Sequence, residues 1–120
     1  MTERLYYLYN VDRGVNLAQR VRVAATSRER RKGLLGISEM DRDTGLWLHP
    51  CEAIHTFGMK MPIDVLFLDR SYRIRKIRRE IGPNRISFCI SAASVLELPP
   101  GISTATGTQL NDRLEFHAHS

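Results

Sequence analysis

The chain has 120 residues, 42% of them hydrophobic and 26% charged, a length and balance that fit one soluble globular domain and exclude two folded domains or a disordered chain. A chain of this size buries about two thirds of its unfolded surface, so folding requires neither a metal nor a disulfide. The formal charge is 18 − 13 = +5, and 15 of the 18 basic residues are Arg, which favours forked hydrogen bonding over point charges.

The first fourteen residues, MTERLYYLYNVDRG, mix charge with aromatics and hold no apolar run of signal-peptide length, so export is not expected and a cytoplasmic location is. No apolar run approaches the ~20 residues of a membrane span. Residues 1–12 and 117–120 are expected as peripheral or frayed ends of a single domain over 1–120. Asp12-Arg13-Gly14 reads as a turn. Val15, Leu17, Val21 and Val23 then share a parity opposite Asn16, Arg20 and Arg22, the period of a half-buried strand. Thr26 followed by Glu29 is a capping box, which predicts one short helix over 27–35, weakened by Gly33 and ended at Gly36.

Short strands follow. Gly45 to Leu48 is one, and Phe57, Met59 and Met61 alternate with Thr56, Gly58 and Lys60 in a second. Ile63 to Leu68 is apolar on both parities apart from Asp64, which marks a central strand covered on both faces. Val95–Leu98 and Leu110–Phe116 complete the series, with Pro99-Pro100-Gly101 as a stop between them. Many short strands, frequent turns and one helix predict a mainly β fold, a sandwich or small barrel.

Gly33–Leu35, the run Gly45-Leu46-Trp47-Leu48, IHTFGMKMPIDVLFLD from Ile54 to Asp69 and SVLELPPG from Ser94 to Gly101 resemble, in this order, the "domain of unknown function 192" family of small bacterial and archaeal proteins. The resemblance covers about residues 15–116. It implies a two-sheet, jelly-roll-like β sandwich with a short helix, and it implies no activity. The chain departs from the family's usual Gly-Asp before the last strand, carrying Asn111-Asp112 instead. Asn tolerates the left-handed conformation such a turn needs.

Candidate chemistry concentrates in three places. Asp64 and Glu97 are lone acids inside apolar strands, where a carboxylate needs a hydrogen-bonding or charged partner. They are either part of a structural network or, with His55, the lining of a polar pocket where pKa values shift. His49, Cys51, His55, Met59 and Met61 form a soft-ligand cluster without zinc-like spacing, and Cys51 with His55 could pair as nucleophile and base, although a buried inert thiol fits as well. No metal or cofactor is expected. Residues 70–85 carry seven basic residues and one acid, with Arg73, Arg75 and Arg79 on one strand parity beside Lys76 and Arg78, a possible polyanion stripe or a solvated strand face. The reading drawn from these is a non-catalytic small-ligand or accessory binding module at a pocket near His55, Asp64, Glu97 and Cys51. Its alternatives are nucleic-acid or other polyanion binding through Arg73, Arg75, Lys76, Arg78 and Arg79, and a Cys51- or metal-dependent enzyme. No membrane partner is expected.

Overall fold

The computed structural model describes residues 4–120. Along the chain run β1 (Leu5–Asn10), β2 (Val15–Ala24), α1 (Ser27–Lys32), β3 (Thr44–Leu48), β4 (Ala53–His55), β5 (Ile63–Leu68), β6 (Ile74–Ile81), β7 (Ile86–Phe88), β8 (Ser94–Leu98), α2 (Ile102–Ala105) and β9 (Leu114–Ala118). The fold is mainly β, as the turn and strand pattern predicts. A seven-stranded sheet ordered β6-β5-β8-β3-β2-β1-β9 accompanies a two-stranded ribbon of β4 and β7. Neighbours in the large sheet are antiparallel except β2 and β3, which are parallel. A parallel pair requires a crossover, and residues 25–43, with α1, provide it.

The large sheet curls until its outer strands approach each other. Arg73, just before β6, bridges to Arg113, just before β9. The Ile74 N–H donates to the Asp112 carbonyl (3.0 Å) and the Leu114 N–H to the Tyr72 carbonyl (2.9 Å). Inside the curl lies a core of Leu8, Leu17, Val21, Trp47, Leu66, Leu68, Ile74, Leu96, Leu98 and Leu114. Trp47 stacks on Phe116 (3.7 Å between ring centroids) and meets Tyr6 and Tyr72 edge-on, the edge-on contacts being the geometry aromatic quadrupoles favour. The other face carries a second core of Leu46, Leu48, Val65, Phe67 and Val95, covered by Leu34 of the crossover, Ile54 of the ribbon and Met59. β5 and β8 are therefore buried along their whole length, as the unbroken apolar run of Ile63–Leu68 anticipates.

Four local expectations change. The helix starts at the Thr26–Glu29 capping box but stops at Lys32, because Gly33 takes φ 46° and its N–H closes the last turn on the Glu29 carbonyl. Residues 56–61 alternate yet form a turn, with Gly58 at φ 82° and the Met59 N–H bonded to the Thr56 carbonyl, and the ribbon strand falls just before it. The last strand begins at Leu114, since Gln109–Asp112 is a turn in which Asn111 takes φ 71°. Finally, Leu5–Asn10 lies between β2 and β9 inside the sheet and β9 runs to Ala118, so these two stretches belong to the sheet, while residues 1–3 of the expected peripheral end lie outside the described residues.

Two buried acids fasten turns to the sheet. Asp112 accepts from Asn10 Nδ2 (3.1 Å), Arg13 Nε (3.0 Å) and the Gln109 N–H (2.8 Å), pinning the β1–β2 turn to the turn before β9. Asp64 is fully buried and accepts from the N–H groups of Glu80 (2.8 Å), Gly101 (3.1 Å) and Ser103 (2.9 Å) and from Ser103 Oγ (2.5 Å). Those donors tie β5 to β6 and to α2, which is the structural network that was one of the two readings of a lone acid in this strand. Asp64→Asn places an NH2 donor among these N–H groups. It is expected to destabilise the protein by about 2–4 kcal/mol in urea unfolding, and an unchanged midpoint would remove this role from Asp64.

Candidate functional site

The outer face of the sheet holds a cleft of about 450 Å³. Its walls come from three stretches: α1 and the following turn (Ser27, Arg30–Leu35), the loop from Leu48 into β4 (Pro50–His55), and Met59. Its floor is β8, through Glu97. Apolar side chains Leu34, Leu48, Ile54 and Met59 are buried around it, whereas Arg31 and Lys32 are exposed at its mouth.

Glu97 is only 3% exposed, and its Oε1 has no hydrogen-bond partner. Its neighbours across the sheet are Leu46 on β3 and Val65 on β5. Burial pushes its carboxyl up to about 7, so near neutrality much of it is protonated. Gly33 makes the approach of the crossover possible: a Cβ there would sit 3.2 Å from Glu97 Oε1, and the backbone takes φ 46°. Only a residue without a Cβ tolerates both conditions readily.

Cys51 is half-buried on the wall, and its thiol donates to the Ala53 carbonyl at 3.1 Å. Burial first, with the Glu97 charge adding to it, raises the thiol pKa, so Cys51 is held as a thiol and not as the nucleophilic thiolate. His55 also lines the cleft but is exposed, its ring stacked on Phe57 at 5.5 Å. Among the described residues no group of three or more His, Cys, Asp or Glu is placed to hold a metal ion.

The structure thus brings Cys51, His55 and Glu97 to one cleft and places Asp64 elsewhere. Asp64 pairs with Leu98 while Glu97 pairs with Val65, a one-residue offset that turns the two acids to opposite faces of the sheet. The sequence reading missed the other wall, Arg30, Arg31, Lys32, Gly33 and Leu34. Its signal was the capping box, which places the helix in the chain but not over β8.

The basic residues of β6 have partners within the chain, and Arg75, Lys76 and Arg79 line one shallow groove. Register shifts opposite Asp64 and between Phe67 and Leu68 break the parity of β6. Arg75 pairs with Asp69 (2.8 Å) and Arg73 reaches Asp12 (3.8 Å). Lys76 donates to the Phe88 carbonyl (2.8 Å), Arg78 to Ser87 Oγ (3.2 Å) and Arg79 to the Thr108 carbonyl (2.7 Å). Among the described residues no helix is long and apolar enough to cross a membrane.

Comparison with known proteins agrees with this architecture. The sequence profile of the family DUF192, described as "Uncharacterized ACR", matches residues 9–116. No curated protein gives a significant match. A crystal structure of a protein of unknown function from Novosphingobium aromaticivorans DSM 12444 superposes with a TM-score of 0.84 at 21% identity, covering 93% of this chain and 84% of that one. A Sinorhizobium meliloti 1021 protein, described as a candidate transcription regulator, superposes with a TM-score of 0.83 at 25% identity, covering 96% and 94%.

The raised Glu97 carboxyl sets a pH dependence. The folded state holds this proton up to about 7, whereas an unfolded glutamate releases it near 4.3. The stabilising difference is complete below the unfolded value and is lost as pH rises through the folded one. Glu97→Gln is therefore expected to gain on the wild type by about 3 kcal/mol between pH 4 and pH 9 in urea unfolding. A wild-type-minus-variant difference that is flat with pH would show that Glu97 does not titrate as its burial dictates.

Proposed function

Because the chain belongs to the DUF192 family, whose description states no activity, its role has to be read from the site, and we propose that it is a non-catalytic binding module for a small organic molecule held over Glu97. The observation that supports this reading most is the orphaned, almost fully buried Glu97 Oε1 on the floor of a largely apolar cleft. A buried polar atom without a partner costs about 1–3 kcal/mol, and a ligand that supplies the partner recovers that cost on binding. The rest of the wall is the usual setting for small-molecule recognition, apolar surface with a few convergent polar groups. Protonation of Cys51 favours binding over nucleophilic chemistry. Native mass spectrometry of untagged protein from its own cells is expected to show an added small mass that Glu97→Met loses. A bare chain mass in both samples would count against a tight ligand in this cleft.

A second reading, polyanion binding through Arg73, Arg75, Lys76, Arg78 and Arg79, draws support from the charge of residues 70–85 and from the description of the Sinorhizobium protein. The intramolecular partners of these side chains must be exchanged for phosphates in such a complex. If it forms, affinity for a DNA duplex falls steeply with salt, and the double variant Arg78→Glu with Arg79→Glu flattens the logarithmic slope by about two. Salt-independent or undetectable binding would remove this reading.

A further inference from the structure

Resting on the reading of the cleft as a small-ligand site, we infer that it takes organic monoanions with an apolar middle and an uncharged hydrogen-bonding end, a hydroxyl or an amide, the anion lying at Arg31 and Lys32 and the uncharged end at Glu97. Three zones of the cleft carry this. At the mouth, α1 contributes Arg30, Arg31 and Lys32, against which the lining sets one solvent-side acid, Glu52. The Arg30 guanidinium is already anchored on the Ala25 carbonyl and Ser27 Oγ, while Arg31 and Lys32 are exposed. A cation approaching Glu97 must pass this basic rim, and an anion is drawn to it.

In the middle, Leu34, Leu48, Ile54 and Met59 offer no hydrogen bond, which disfavours a ligand polar along its length. At the floor, Glu97 is surrounded by groups from α1 and its turn, the loop after β3, β4, β3 and β5. α1 and its turn supply Arg30 and the side-chain-free Gly33, the loop after β3 supplies Cys51 and Glu52, β4 supplies His55, and β3 and β5 present Leu46 and Val65. None of them bonds Oε1. A neutral hydroxyl or amide serves either protonation state of Glu97, because it both donates and accepts. A second anion at that depth would be repelled by the ionised form.

The test uses the full chain, isotopically labelled, titrated at low salt with three probes of equal length: 6-hydroxyhexanoate, hexanoate and 1,6-hexanediol. Amide shifts of Gly33 and Ile54 report the cleft. 6-Hydroxyhexanoate is expected to bind about tenfold more tightly than either of the other two. The surface double variant Arg31→Glu with Lys32→Glu should bring it down to the diol while leaving the diol unchanged. Glu97→Leu should bring it down to hexanoate, and Glu97→Gln should retain it. If the diol binds as tightly as 6-hydroxyhexanoate, or charge reversal at the rim changes nothing, the ligand class is overturned while the cleft stands as a binding site. If none of the three probes moves the cleft amides, the small-ligand reading itself falls.

Discussion

The structure depends on β5 and β8 being covered on both faces. Once the sheet curls over one core and the crossover and ribbon cover the other, no side chain from Ile63 to Leu68 or from Ser94 to Leu98 reaches bulk water. Apolar side chains meet that constraint without further help. Asp64 and Glu97 meet it in opposite ways. Asp64 collects four donors from β6 and the α2 turn and becomes the knot that ties them together. Glu97 collects no partner at Oε1 and stays on the floor of the cleft as a carboxyl that holds its proton up to about 7. One acid is consumed by the fold, and the other has an oxygen that the fold leaves without a partner.

The cleft around Glu97 follows from the topology. β2 and β3 are the parallel neighbours of the large sheet, so the chain must travel back over a sheet face to start the second strand. Its return path brings α1, Gly33 and Leu34 above β8. The opposite wall is the β4–β7 ribbon. Thr56 fastens its base, donating to the Gly82 carbonyl (2.7 Å) and accepting from the Arg85 N–H (2.8 Å). The cleft is thus the gap between two covers of the same sheet face.

Much of this was legible in the residues. The half-buried pattern of β2, the two-sided burial of β5 and the capping box ahead of α1 are local signals, and each appears where its chemistry predicts. Which acid serves the fold was not legible, because Asp64 and Glu97 look alike within their strands. Their difference rests on a pairing register that joins residues 64 and 98 and is invisible along one strand. The partners of the β6 arginines were hidden for a related reason: register shifts are set by the partner strand and cannot be read along β6 itself. The Thr56–Met61 alternation misled because Gly58 at a positive φ converts a strand-like pattern into a turn.

The crossover also divides the molecule into parts of unequal persistence. α1 has six residues and buries none of them, so it has little of its own to resist fraying beyond its cap and the Leu34 anchor. β5 and β8 meet water only when the whole sheet opens. Amide hydrogens of α1 should consequently exchange through small, frequent openings, and those of β5 and β8 through global unfolding. An occupant of the cleft touches both parts at once. On the proposed reading its binding energy would appear as slowed exchange in α1, joining a segment that opens locally to strands that open only with the whole sheet.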